Sequence, residues 1–337
     1  MNAELLPRVP IGLLPVLLFL IVLVYMDSYK LVRLRTVLWV IVAGGLACVL
    51  AFTINTSLIT QFPLGFTVFS RYVAPITEEG LKALVIVYLF RTNRIGFLVD
   101  SAIMGFAVGA GFAFSENLYY LYEAGDANMA VWVVRGCGTA VMHGAVTAIF
   151  AIASQTLTER NMKINPLLYV PGLVAAMTLH SLFNHFPFHP IVMTGLQLVI
   201  LPPVLFAIFR HSAWRMHHWL ELDFDADALL LEQINSSEFA QSRIGRFLSD
   251  LRQAFPGPVV VDMLCYLRLY TELAMRAKGV LMMRENGLEV PVGERTREKF
   301  EELDYLEKSI GKTGILALRP FLHMERKDLW QLNVLGA

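Results

Sequence analysis

Apolar residues in this chain come in long runs, not in the alternating pattern of half-buried strands or the one-sided spacing of surface helices. Seven runs, at about 10–27, 36–54, 73–90, 95–118, 131–155, 166–185 and 189–210, reach the roughly 17 to 25 residues that a helix needs to cross a bilayer. Pro202 and Pro203 fall inside the last run. Proline lacks the N–H that a helix ladder needs, so a kink or frayed end is expected there. Beyond residue 210 the pattern changes. Charges become frequent, and apolar residues recur at helical spacing in FLSDLRQAF, VDMLCYLRLYTELAMRA and KFEELDYLEKSI, with FPGP as a break. The expected fold is all-α: a polytopic membrane helix bundle of about seven transmembrane helices over 1–210, then a mostly helical cytoplasmic domain over 211–337.

The loops set the expected direction of threading. Lys30, Arg33 and Arg35 follow the first run, Arg91 and Arg94 the third, Arg160 and Lys163 the fifth, and Arg210 and Arg215 the seventh. The alternate loops hold Arg71 and, between the fourth and fifth runs, only Glu123 and Asp126. Basic residues stay on the cytoplasmic side, so the N-terminus is expected outside and the C-terminus in the cytoplasm. The first run has no basic segment before it and no small-residue cleavage site after it, and reads as a helix that stays, not as a removable signal peptide. Composition agrees: of 337 residues, 56% are hydrophobic and 17% charged, and mean hydropathy is +0.55. A net charge of zero gives no reason to expect nucleic acid. Cys48, Cys137 and Cys265 are scattered and form neither a disulfide framework nor a metal-type spacing. Trp214, His217, His218 and Trp219 read as a belt at the membrane surface.

Five residues resist this picture. Glu78 and Glu79, Glu116, His143 and His180 lie in four strongly apolar segments. An ionisable side chain at membrane depth persists only where it is paired, hydrated or used. At about 1.5 Å of rise per residue, Glu78, Glu79 and His180 fall about 8 Å below the outer boundary. His143 falls about 12–16 Å down, and Glu116 and Asn117 lie near the boundary itself. All four segments thus bring their polar residues to the outer half of the membrane, which nothing in the spacing required. Residues four apart share a helix face, so Glu78 is expected to pair with Lys82, and His180 to point with Asn184. Glu78 and Glu79 are about 100° apart, so one of them is expected to face a cavity. A partly buried Glu is suited to act as general base on water, with His and Asn donating to a developing oxyanion. Gly105, Gly109, Ala110, Gly111, Gly136, Gly138, Ala140 and Gly144 allow close helix approach around them.

Singly, each residue has an ordinary reading. His180 alone suits an interhelical hydrogen bond, Glu116 an interfacial position, Asn117 and Asn184 helix ends, and Lys82 a structural counter-ion. His185 and His189 read as solvated or interfacial residues of the outer loop. The convergence in one leaflet carries the functional reading.

In order, the motifs are Glu78-Glu79-x-x-Lys82, Phe112-x-x-x-Glu116-Asn117, His143 and His180-x-x-x-Asn184. The set resembles the PrsW family of bacterial intramembrane proteases, which is distantly similar to type II CAAX prenyl proteases and bacteriocin-processing membrane peptidases. Glu116 stands where those distant relatives have His. The resemblance covers 73–185 and says nothing about the tail. It implies an endopeptidase of the bacterial cytoplasmic membrane that cuts single-pass membrane proteins, anti-sigma factors being the best-known type, near the outer leaflet. By that resemblance Glu78 activates water, with Glu79 and Glu116 tuning or sharing its proton. His143, His180 and Asn184 stabilise the oxyanion or assist the leaving amine, and Lys82, Asn117 and Phe112 support them.

Metal use stays open at this point. There is no His-Glu-x-x-His, and a metal-free glutamic mechanism is the preferred reading. The alternative is zinc held by Glu116, His143 and His180. Two other classes stay in view: a proton- or cation-coupled transporter, and a non-catalytic membrane scaffold signalling through a cytoplasmic partner of 211–337. A transporter would place its site near the midplane between repeats, and no repeat is apparent.

Overall fold

The computed structural model describes residues 7–62, 64–123, 127–159, 165–288, 294–322 and 335. Three loop charges used for the orientation argument, Asp126, Arg160 and Lys163, lie outside the described residues. So does the start of the chain, 1–6. Every regular element described is helical.

The first unit runs to 213. It begins with α1 (Arg8–Tyr25), α2 (Leu34–Gln61), α3 (Ala74–Arg91) and α4 (Leu98–Glu123). Then come α5 (Ala140–Thr158), α6 (Val170–His185) and the start of α7 (Pro190–Asn235). Among the described residues, six helical stretches are long and apolar enough to cross a membrane: Arg8–Tyr25, Leu34–Gln61, Leu98–Glu123, Met129–Thr158, Pro166–His185 and Pro190–Asn235. The remaining expected span is α3. It has the length, packs on α2 and α6, and carries Glu78, Glu79, Lys82 and Arg91 among its 18 residues. The protein is an all-α polytopic membrane protein.

Helix α4 is the axis of the bundle. Every residue from Val99 to Ala113 is buried, which is why its sequence has no polar face to mark an orientation. Its closest neighbour is α5, then α2. Glycine makes that approach possible: a Cβ on Gly105 would lie 2.7 Å from the Ala148 Cα, and one on Gly109 would overlap the His143 carbonyl. Asp100 starts the helix by accepting from the Gly96 and Phe97 N–H groups at 2.9 and 3.2 Å. Asp27 does the same for Leu31 and Val32 in the preceding turn. These two buried acids thus serve local backbone geometry.

Two local findings depart from simple helix periodicity. Both α3 and α5 are entered through π-helical turns, Phe69–Val73 and Val134–Thr139. In contrast, α7 runs helically through Pro202 and Pro203, where a kink or frayed end was expected.

The second unit takes the described residues from 214 onward. It contains the end of α7, then α8 (Arg243–Leu251), α9 (Gly257–Glu285) and α10 (Glu294–Leu318). Met263, Leu267, Leu273, Ala277 and Leu281 give α9 its buried stripe, and α9 packs chiefly on α10. Gly311 breaks α10 with φ 69°, a left-handed value that glycine adopts without steric cost. Lys278 is buried and held by Asp227 Oδ2 at 2.7 Å and the Asp223 carbonyl at 3.2 Å. Trp219 is buried beside it, while Trp214 is exposed and stacked on His218.

Candidate active site

The five ionisable residues singled out in the sequence meet in one network, with Glu79, His143 and His180 buried and Glu78 and Glu116 half-buried. Helix α3 supplies Glu78 and Glu79, α4 supplies Glu116, α5 His143 and α6 His180. Glu79 lies at its centre. Its Oε1 accepts from the Lys82 ammonium at 2.6 Å and from His180 Nδ1 at 2.8 Å. Lys82 then donates to His143 Nδ1 at 2.9 Å and stands 4.4 Å from the centre of the Phe112 ring. The side chains of Lys82, Glu79, His143 and His180 are at most 3% exposed, so solvent screens these contacts very little.

This differs from the expected pairing of Lys82 with Glu78. The ion pair forms three residues apart with Glu79, because Glu79 faces the bundle interior where Lys82 is enclosed. Glu78 turns toward the more open side, with 13% of its side chain exposed. Its Oε2 is 3.9 Å from His180 Nε2, and Oε1 accepts from Asn55 Nδ2 at 3.4 Å. Both acids of the pair therefore reach His180, one at each ring nitrogen, although 100° separates them on the helix.

The tautomers follow from donor inventory. An ammonium has no lone pair to accept with, so His143 Nδ1 must accept from Lys82, and in the neutral ring the proton sits on Nε2. At His180 the carboxylate of Glu79 accepts a hydrogen bond from Nδ1–H, which leaves the Nε2 lone pair facing Glu78. The two imidazoles, whose ring centres are 4.8 Å apart, thus present opposite functions: His143 a donor, His180 an acceptor.

Glu116 closes the network on its outer side. Its Oε2 is 3.2 Å from Arg135 Nη2 and 3.4 Å from His143 Nε2. Both are ion-pair distances, yet neither contact is aligned as a hydrogen bond. Arg135 was not singled out in the sequence. It lies in the π-helical turn before α5, stacks 3.6 Å over Tyr120 and donates from Nε to Asn117 Oδ1 at 3.0 Å. Asn117 in turn donates to the Gly12 carbonyl at 2.7 Å, tying α1 to the site. Asn55, also missed, takes a hydrogen bond from Thr77 at 2.5 Å and steadies Glu78 from α2. The signal for Arg135 was available: it is a charge inside the apolar run VWVVRGCG. Asn55 left no such mark, since an uncharged residue near a helix end is ordinary.

Asn184 does not join the centre. It donates to the Ser70 carbonyl at 2.9 Å, while Ser181 donates to the Arg71 carbonyl at 2.6 Å. His185, half-buried, contacts the Tyr72 hydroxyl at 3.0 Å. Together they clasp α6 to the first π-helical turn, using carbonyls that the wider turn leaves available.

Two imidazoles and a carboxylate also meet the chemical requirements of a divalent metal. Ligand atoms of Glu78, His143 and His180 lie within 4.8 Å of one another. Glu79 behind His180 provides the carboxylate–histidine support common at zinc ligands. The set fits zinc in kind and number, with a fourth position left over. It includes Glu78, whereas Glu116 is engaged by Arg135.

No curated protein and no solved structure matches the chain. The PrsW family of intramembrane metalloproteases matches over residues 32–209, more than half of the chain and a stretch that contains every residue of the buried network. The chain accordingly belongs to the PrsW family and is an intramembrane protease.

Proposed function

We propose that this protein is an endopeptidase that hydrolyses one peptide bond of a single-pass membrane protein near the outer leaflet. It acts in a bacterial cytoplasmic membrane, with its N-terminus outside and residues 214–337 in the cytoplasm, where they meet a regulatory partner. An anti-sigma-factor-like substrate suits this arrangement. The observation that carries the reading is the joining of Glu78, Glu79, Lys82, Glu116, His143 and His180 into one enclosed network with Glu78 on its accessible side.

Glu78 is the base. Its 3.9 Å separation from His180 Nε2 exceeds a direct hydrogen bond and suits one bridging water. That water gives one hydrogen to each acceptor and attacks the substrate carbonyl as Glu78 takes its proton. His143 Nε2–H donates to the oxyanion, and Arg135 adds positive charge beside it. Collapse breaks the C–N bond, and Glu78 returns the proton to the leaving amine. Glu79 and Lys82 hold the rings in the tautomers that this requires. Asn184 stands outside this step.

A second reading has its own support in the ligand atoms of Glu78, His143 and His180, which lie within 4.8 Å. In that reading these three residues would hold zinc, which would supply Lewis acidity at the scissile carbonyl. Purified protein in detergent, offered a panel of single-pass substrates, distinguishes the two. Wild type should cut a substrate that Glu78→Gln and His180→Ala leave intact. Cleavage that survives a strong zinc chelator supports the glutamic mechanism; loss with chelation and rescue by zinc supports the metal. A wild type inert toward every substrate counts against both.

A further inference from the structure

We propose that Lys82 is a resident cation that opposes metal ligation by His143, so that loading the site with zinc requires the Lys82 ammonium to be displaced or neutralised. This rests on the reading of Glu78, His143 and His180 as a ligand set and adds a control element to it.

The argument starts from the two nitrogens of one ring. A metal needs an imidazole lone pair, and a neutral imidazole has only one. At His143 that lone pair, on Nδ1, is taken by the Lys82 ammonium at 2.9 Å, and Nε2 carries the proton. A metal arriving at Nδ1 meets the ammonium itself. A metal arriving at Nε2 needs the proton moved to Nδ1, where it would face an N–H of Lys82. Either route requires the Lys82 ammonium to leave Nδ1 or to hand its own proton to that nitrogen, and the bonds that hold the cation oppose both. At His180 the opposite holds: Glu79 accepts from Nδ1–H at 2.8 Å and leaves the Nε2 lone pair open.

Lys82 is well held in this place. It is wholly buried, bonded to Glu79 at 2.6 Å and set against the face of Phe112 at 4.4 Å. A charge-assisted bond of that length and a ring face both favour a cation, and low polarity strengthens each. The position that joins Glu79, His143 and Phe112 is therefore already filled by a positive charge belonging to the chain. A site competent for metal only in the fraction of molecules whose Lys82 ammonium is displaced or neutralised binds more weakly by that fraction.

Zinc binding to the purified full-length protein reads this directly, by titration of zinc alone against a chromophoric chelator and without substrate. Lys82→Met should bind zinc at least about tenfold more tightly than wild type. The gain should vanish in His143→Ala, because the coupling runs through that ring. Lys82→Met leaves Glu79 buried without its counter-charge, so Glu79→Gln/Lys82→Met provides a neutral pair if the single variant is not monodisperse. Equal or weaker zinc binding by the Met variants overturns the proposal, as does a gain that persists without His143. If none of the proteins binds zinc while wild type still cleaves substrate, the proposal fails and the protease reading stands.

Discussion

At the scale of single residues, the site is a problem in assigning protons to nitrogen atoms. His143 and His180 are the same residue type in similar burial, yet Lys82 makes one a donor and Glu79 makes the other an acceptor. Glu78 differs from Glu79 only by which side of α3 it occupies. Removing its basicity with little change in shape isolates the chemistry: Glu78→Gln should lower turnover by about a hundredfold or more while the melting temperature stays close to wild type. A large fall in melting temperature would make Glu78 a structural residue instead. Asn184 should behave differently. Its bond to the Ser70 carbonyl is worth about 1 kcal/mol, so Asn184→Ala should lower stability modestly and turnover by less than about tenfold. A hundredfold loss of turnover would return Asn184 to the reaction centre. Which acids and imidazoles belong together was legible in the sequence, because charges in apolar runs are costly enough to stand out. Their pairing was not: helical spacing allows Lys82 to reach either Glu78 or Glu79, and only the packing of α4 and α5 decides.

At the scale of the helix, the hydrophobic runs located the spans closely, since length and apolarity are the two things a bilayer demands. The run at 36–54 corresponds to α2, and the run at 166–185 ends where α6 ends. The π-helical turns before α3 and α5 left no trace in that pattern, because one extra residue in a turn changes neither quantity. They matter nonetheless. One places Arg135 against Glu116 and gives its own carbonyl at 138 to Gln197; the other offers carbonyls to Asn184 and Ser181. Close helix approach was legible from the glycines, and Gly109 is its most demanding case. Gly109→Ala drives a methyl group into the backbone of the residue that carries the His143 ring. It should cost about 1–3 kcal/mol and impair cleavage, read as a lower melting temperature and lower turnover together. Unchanged stability would mean that α4 and α5 can separate freely, contrary to their packing.

At the scale of the whole molecule, the proposed threading puts the network in the outer half of the membrane and residues 214–337 in the cytoplasm. Cysteine chemistry checks this with native residues, since Cys265 is exposed and Cys48 buried. In a Cys137→Ser background, a membrane-impermeant maleimide should leave intact spheroplasts unlabelled and react with Cys265 once the membrane is opened. Labelling of intact cells would reverse the threading. The most direct test of the central claim is the position of the cut. Full-length protein is reconstituted in liposomes with a single-pass substrate, and the products are weighed by mass spectrometry. The account predicts one scissile bond at or just within the outer boundary of the substrate helix, made by wild type and absent with Glu78→Gln. The same product from the Glu78→Gln protein, or a cut on the cytoplasmic side, would contradict it.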